Sequence, residues 1–171
     1  MFPSGPNRGI RLVAFWSLAL ALLGAPVPAA NGKDADSEPE LARRAPLAVL
    51  HQTQMDFGTL ADHDGWVEMD WQNRLVYNPD HLSMDFTAVS AVFVVTGDPS
   101  TNTTVSITGG TTEGLTISDF TTDWGDPPIA GFRLDGTGEQ TIRIGARLTV
   151  DSSVATNGPK AISYTFSVVA E

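Results

Sequence analysis

Apolar side chains occupy every second position in Ile142-Arg143-Ile144-Gly145-Ala146-Arg147-Leu148-Thr149-Val150, and the positions between them are polar apart from Gly145. A period of two places Ile142, Ile144, Ala146, Leu148 and Val150 on one face of an extended chain. The stretch therefore predicts a long β-strand with one buried and one solvated face.

The same period continues on both sides of this strand, from residue 46 to the end of the chain. Shorter alternating runs are Val67, Met69, Trp71; Leu82, Met84, Phe86; Ala91, Phe93, Val95; Thr103, Val105, Ile107; and Ile162, Tyr164, Phe166, Val168. Turn-forming residues separate them, as in Asn78-Pro79-Asp80 and Asn157-Gly158-Pro159. Short strands at this spacing predict an all-β fold, an antiparallel Ig-like or pilin-like β-sandwich of about 7–9 strands.

The first 45 residues differ from the rest in composition. Residues 1–30 carry Arg8 and Arg11, then the apolar run LVAFWSLALALL, then Val27-Pro28-Ala29, which is typical of a secretory signal peptide. A retained membrane anchor is the alternative. Residues 31–45 are charged and nearly free of large apolar side chains, which predicts a flexible linker. Residues 46–171 then form the sandwich domain.

Four short motifs in the predicted strands resemble the DUF4402 family, a bacterial secreted domain of unknown function. They are Asp56-Phe57-Gly58-Thr59-Leu60, Phe93-Val94-Val95-Thr96-Gly97, Ile144-Gly145-Ala146-Arg147-Leu148-Thr149-Val150 and Tyr164-Thr165-Phe166-Ser167-Val168. Phe57, Gly58, Gly97, Gly145 and Phe166 are the signature positions. The chain ends in Ala170-Glu171, where the family pattern has a Tyr. The resemblance implies a pilin-like sandwich in the cell envelope of Gram-negative bacteria, and it implies no assigned activity.

Charge and cysteine content exclude several functions. Twenty acidic residues against ten basic ones give a formal net charge of −10, which argues against binding nucleic acid or anionic membranes. The absence of Cys excludes a disulfide framework, thiol catalysis and cysteine metal sites. We therefore expect no nucleic-acid partner, no cofactor and no membrane span in the mature chain.

The search for chemistry finds no catalytic constellation. His63 lies in the predicted turn Asp62-His63-Asp64-Gly65, where a solvated turn is the simpler interpretation than a base or a metal ligand. Calcium at Asp62 and Asp64, or at Asp123 and Asp126, is an alternative that lacks the spacing of an EF-hand loop. We predict that the protein is not an enzyme and has no catalytic or metal-binding residues.

Two non-enzymatic roles remain, both consistent with export to the periplasm, the outer-membrane surface or the medium. The first is a structural or adhesive subunit that exchanges strands with other copies or with surface-assembly proteins, using Leu47, Val49, Thr53 and Met55 as the donor face. The alternative is a monomeric module that binds carbohydrate or protein through loops at one end of the sandwich. Trp66, Trp71 and Trp124, with Tyr77, are a candidate aromatic surface for sugars, and Trp124 and Trp66 are its candidate ligand-binding residues. The simpler interpretation is that Trp71 is core and that Trp66 and Trp124 cover sheet edges.

Overall fold

The computed structural model describes residues 10–12, 15–18, 45–77, 82–85 and 87–171. The predicted signal peptide and linker lie outside the described residues, except for residues 10–12, 15–18 and Ala45. The predicted turn Asn78-Pro79-Asp80, His81 and Phe86 also lie outside them.

The described chain consists of strands joined by turns and loops. The strands are β1 (Ile10–Leu12), β2 (Phe15–Leu18), β3 (Ala48–Thr53), β4 (Gly58–Leu60), β5 (Gly65–Met69), β6 (Leu75–Tyr77), β7 (Ala91–Thr96), β8 (Asn102–Thr108), β9 (Thr111–Thr112), β10 (Leu115–Thr122), β11 (Ile129–Arg133), β12 (Glu139–Val150) and β13 (Ser163–Ala170). Strand β12 contains the alternating stretch from Ile142 to Val150 and is the longest of them.

The described strands form three sheets, and the two larger ones face each other. The third has two strands, β1 and β4, which pair antiparallel from Ile10 opposite Leu60 to Leu12 opposite Gly58. The larger has the order β3-β7-β12-β10-β9, with β5 also paired to β12 and β6 paired to β5. The smaller has the order β11-β8-β13, and β2 adds to β13 in parallel. This arrangement confirms the predicted all-β sandwich. Residues 46–171 contain more strands than the 7–9 expected. The difference arises because β4, β6 and β9 have only two or three residues each, which is too short for an alternating pattern to reveal them.

No helix in the described ranges is both long and apolar enough to cross a membrane.

The core lies between the two sheets and is built on aromatic contacts. The ring of Phe93 in β7 stacks on that of Phe166 in β13, with centroids 4.3 Å apart and planes 5° apart. Tyr164 meets Phe93 edge-on at 6.3 Å. Phe93 and Phe166 belong to opposite sheets, so this stack joins the two layers and buries much apolar area per residue.

One predicted strand does not form. The alternation of Leu82, Met84 and Phe86 predicts a strand, but residues 82–85 make a single bridge, between Ser83 and Leu60. Leu82 and its neighbour Ser83 are both buried, whereas Met84 is exposed. The burial does not follow the apolar alternation, so a pattern of period two gives the wrong element here.

The turn between β11 and β12 is held by the carboxylate of Asp135. Its Oδ1 accepts hydrogen bonds from the Thr137 hydroxyl at 2.6 Å, the Thr137 amide at 2.8 Å and the Glu139 amide at 3.1 Å. The Thr137 hydroxyl bond, followed by the two amide bonds, lowers the pKa of Asp135 below its ordinary value.

We expect the stabilising effect of Asp135 to disappear in acid. Because its pKa is lower in the folded than in the unfolded chain, the contribution is present above the unfolded pKa and is lost as pH falls through the folded pKa. Urea unfolding of the wild type and of Asp135→Asn should differ at pH 7 and converge near pH 2. A difference that stays constant over this range would contradict the assignment.

Candidate functional site

The outer edge of β13 is where the sandwich takes up an additional strand. On one side β13 pairs antiparallel with β8, from Thr165 opposite Thr108 to Ala170 opposite Thr103. On the other side β2 pairs with it in parallel, from Ser163 opposite Phe15 to Phe166 opposite Leu18. The β2 segment falls inside the predicted signal peptide, so its removal would leave this edge without a strand.

The predicted donor segment lies at one edge of the larger sheet, whereas β13 belongs to the smaller sheet. Strand β3 is an edge strand whose residues from Ala48 to Thr53 pair antiparallel with β7. Its outward-facing Leu50 is 63% exposed, while Met55, just after the strand, is fully buried in the core. Leu47 and Val49 pack partly buried against the core. A register shift between His51 and Thr53 places Thr53 opposite Val92, on the outward face, so the predicted donor face is wrong at Thr53. The segment is therefore held by one strand neighbour and anchored at its end by Met55.

Trp124 is exposed on one side and fixed on the other. Its ring is 42% exposed and meets the buried Phe132 ring edge-on at a centroid distance of 5.0 Å. Its Nε1 donates a hydrogen bond of 3.2 Å to the Thr141 carbonyl. Packing and hydrogen bonding hold the indole in place, and the exposed part of Trp124 is available to a ligand.

Trp66 is covered by a cation. The guanidinium carbon of Arg147 lies 4.2 Å from the centroid of the indole ring. Arg147 is held there by ion pairs to Glu68 at 3.0 Å and to Asp119 at 2.6 Å. A ligand that stacked on this face of Trp66 would have to displace Arg147.

The structure does not bring Trp66 and Trp124 together. Trp66 lies opposite Thr149 of β12, whereas the Trp124 indole bonds Thr141 of the same strand. Eight residues of extended chain separate these two contacts, a distance of roughly 26 Å. Trp124 and Trp66 therefore do not form one aromatic surface.

The five signature positions have structural surroundings that explain their residue types. Phe57 and Phe166 are buried in the core. Gly58 begins β4 with a φ of 71°, and a side chain there would meet Asp85 and Thr87. Gly97 begins the turn after β7 and donates to the Gly138 carbonyl at 2.9 Å. At Gly145 a Cβ would meet the backbone of Met69 and Asp70.

One carboxylate in each of the two candidate calcium loops accepts hydrogen bonds from the protein itself. Asp64 Oδ1 accepts hydrogen bonds from the amide and hydroxyl of Ser152 at 2.7 and 2.8 Å. Asp123 Oδ1 accepts one from the Arg143 amide at 2.9 Å. In the described part of the chain no group of three or more His, Cys, Asp or Glu side chains is arranged to hold a metal ion.

Buried titratable groups belong to the core. Burial raises the pKa of the Tyr164 phenol and lowers that of His51, whose ring stacks on Phe93 at 4.6 Å. Burial of the Tyr164 phenol and partial burial of the His51 ring account for both shifts. The available surfaces are thus strand edges and exposed side chains.

The sequence suggested a candidate donor segment but gave no indication of the β2 pairing at the outer edge of β13. The alternation of Ile162, Tyr164, Phe166 and Val168 predicts β13 without telling which of its edges is paired. Strand order is set by contacts distant in sequence, and the apolar run that supplies β2 was explained fully by export. No signal within the sequence of β13 could have indicated the added strand.

Comparison with known proteins adds no functional information. No protein-family model matches the sequence, and no curated protein matches it either. The resemblance to the DUF4402 family therefore stays a prediction.

Proposed function

We propose that this chain is a non-enzymatic secreted protein of the cell envelope, a structural or adhesive subunit of pilin type, that associates by strand addition at the outer edge of β13. The observation that carries the proposal is the parallel pairing of Phe15–Leu18 with Ser163–Phe166. The resemblance to DUF4402 motifs and the predicted signal peptide support the location.

The β13 edge suits this role because removal of the predicted signal peptide would make it available for pairing. Removal of a signal peptide that includes β2 leaves backbone N–H and C=O groups of Ser163–Phe166 without a strand partner. An unpaired edge is a template for another extended chain. Main-chain hydrogen bonds give such an addition its affinity, and side-chain contacts give it specificity.

The donor in the proposal is the segment that contains Leu47, Val49, Thr53 and Met55 of another copy. This segment follows the predicted linker, and in its own chain β3 has a strand neighbour on one side only. Exchange would transfer its main-chain bonds from β7 of one copy to β13 of the next. The burial of Met55 in its own core opposes exchange, so the extended part from Leu47 to Thr53 is the part free to move.

The test uses the exported, processed protein and a peptide of residues 46–55. We expect ordered oligomers or filaments by size-exclusion chromatography with light scattering and by negative-stain microscopy. Excess peptide should shift them toward monomers that carry one peptide each. A control peptide with Val49→Asp and Thr53→Asp should have no effect. A uniform monomer that takes up no peptide would contradict the proposal.

That contradictory result would favour the alternative function, a monomeric module that binds carbohydrate or protein. Trp124 supports this alternative because its partly exposed indole is held by Phe132 and by the Thr141 carbonyl. In this case Trp124→Ala should abolish ligand binding without affecting the oligomeric state.

A further inference from the structure

We infer that a cleft beside Trp71 binds a pyranose that carries a carboxylate, as in a uronic acid or a sialic acid. The cleft has a volume of about 390 Å³, within the range of small-molecule sites. It lies on the solvent side of the larger sheet. Its polar lining comes from Trp71, Gln72, Asn73, Ser90, Arg143 and Thr53. The cleft does not include the β13 edge, which belongs to the other sheet, but it shares Thr53 with the proposed donor segment, so sugar binding is tested on monomeric protein.

One wall of the cleft is a row of side chains across three adjacent strands. Thr53 of β3 is opposite Val92 of β7, and Val92 is opposite Arg143 of β12. Neighbouring strands are about 4.8 Å apart, so the row spans roughly 10 Å of backbone. Arg143 lies between the buried Ile142 and Ile144 and points outward from the sheet. The sheet thus places Thr53 and Arg143 on either side of the apolar Val92.

The other wall is the turn after β5, which is tied down at both ends. Asp70 Oδ1 accepts bonds from the amides of Gln72 and Arg74 at 2.8 and 2.9 Å. The side-chain oxygen of Asn73 accepts a bond of 2.6 Å from the Ser90 amide, and the Ser90 hydroxyl donates to the Trp71 carbonyl at 3.1 Å. The turn that carries Trp71 is therefore joined to the start of β7, which reduces the ordering needed when a ligand binds.

The charge of the cleft indicates an anionic ligand. Arg74 is paired with Asp70, and Arg147 with Glu68 and Asp119. Among the described residues Arg143 has no carboxylate partner, a property it shares with Arg133 on β11. The nearby carboxylate of Asp123 is bonded to the backbone amide of Arg143 rather than to its guanidinium. A guanidinium binds a carboxylate through two parallel hydrogen bonds.

The neighbouring groups indicate a sugar ring rather than a simple carboxylate. Trp71 is partly exposed in the cleft, and an indole face offers the flat apolar area on which a pyranose stacks. The Asn73 side chain uses its oxygen for Ser90, which leaves its NH₂ group to donate. Gln72 and Thr53 add donors and acceptors for ring hydroxyls. An indole, a guanidinium and several amide or hydroxyl groups in one cleft match the surface of an acidic sugar.

The test is calorimetric titration of the exported, processed protein with two acidic probes and their neutral counterparts. The probes are hexagalacturonic acid and 3′-sialyllactose, and the neutral counterparts are methyl-esterified hexagalacturonate and lactose. We expect at least one acidic probe to bind, with quenching of tryptophan fluorescence, and its neutral counterpart to bind far more weakly. Binding should weaken as salt is added, because the charge is partly exposed.

Arg143→Gln should weaken this binding roughly tenfold to a hundredfold, since hydrogen bonds to charged groups are lost. Trp71→Leu should remove the fluorescence change and weaken binding of acidic and neutral rings alike. Arg133→Gln is the matched control, because it removes the same charge from a different strand, and it should bind as the wild type does. Circular dichroism and melting curves establish that each variant is folded.

Two results would overturn the inference. One is that neither acidic probe binds to the wild type. The other is that Arg143→Gln and Arg133→Gln bind the acidic probe equally well, which would place the site elsewhere. Both readouts are taken on monomeric protein, in which Thr53 stays opposite Val92 in its own chain, so strand addition and sugar binding are tested separately.

Discussion

Replacement of Phe93 by Ala is expected to lower the free energy of unfolding by about 3 to 5 kcal/mol. Phe93 is fully buried and contacts rings from both sides of the core, namely Phe166 at 4.3 Å, Tyr164 at 6.3 Å and His51 at 4.6 Å. Truncation removes its transfer free energy and leaves a cavity between the two sheets. Single domains have unfolding free energies of about 5–15 kcal/mol, so the loss is a large fraction of the total.

Urea unfolding followed by circular dichroism measures this effect, with Leu50→Ala as the control. Leu50 lies on the neighbouring β3 but is 63% exposed, and its truncation should change the midpoint little. A loss below about 1 kcal/mol for Phe93→Ala would mean that the stacked rings do not join the two sheets.

Gly58→Ala is also expected to lower the free energy of unfolding by several kcal/mol. Gly58 has a φ of 71°, a left-handed conformation that costs an L-residue roughly 1–2 kcal/mol. A Cβ there would also lie 2.5 Å from the Thr87 carbonyl oxygen and 2.5 Å from Asp85 Oδ1. Relief of such a contact typically costs about 1–3 kcal/mol. The combined loss of unfolding free energy is therefore about 2 to 5 kcal/mol.

Gly136→Ala is the matched control for Gly58→Ala. A Cβ at Gly136 meets nothing within 4 Å, and its backbone is not left-handed. Thermal melting should give a midpoint for Gly136→Ala at or above that of the wild type, because Ala reduces the entropy of the unfolded chain. Equal melting midpoints for Gly58→Ala and Gly136→Ala would contradict this prediction, because they would show that the start of β4 accommodates a Cβ without loss of stability.

The fold class could be predicted from local pattern because each strand of the sandwich has one buried face. The alternation from Ile142 to Val150 continues unbroken in β12, where Ile142, Ile144, Ala146, Leu148 and Val150 are all buried. The strand prediction is wrong for residues 82–85 because Leu82 is buried in a segment that makes only an isolated bridge, between Ser83 and Leu60, rather than in a sheet. Local alternation cannot distinguish these two kinds of burial.

The candidate sites were less predictable because they depend on which strands become neighbours. Of the two interpretations of Trp71, the simpler one placed it in the core, yet β5 ends at Met69 and Trp71 lines an open cleft. Arg143 drew no attention in the sequence, since its role depends on Thr53 and Val92, which are brought beside it by strand pairing. Trp66 and Trp124 suggested one surface by composition, but β12 separates them.

Hydrogen–deuterium exchange at β13 is the most direct test of strand addition. In a processed monomer the amides of Ser163–Phe166 that do not point toward β8 should exchange rapidly, because β2 has been removed. In oligomers, or with the peptide of residues 46–55, the same amides should become protected. Exchange that is equally slow in a peptide-free monomer, or equally fast after peptide is added, would contradict strand addition at this edge.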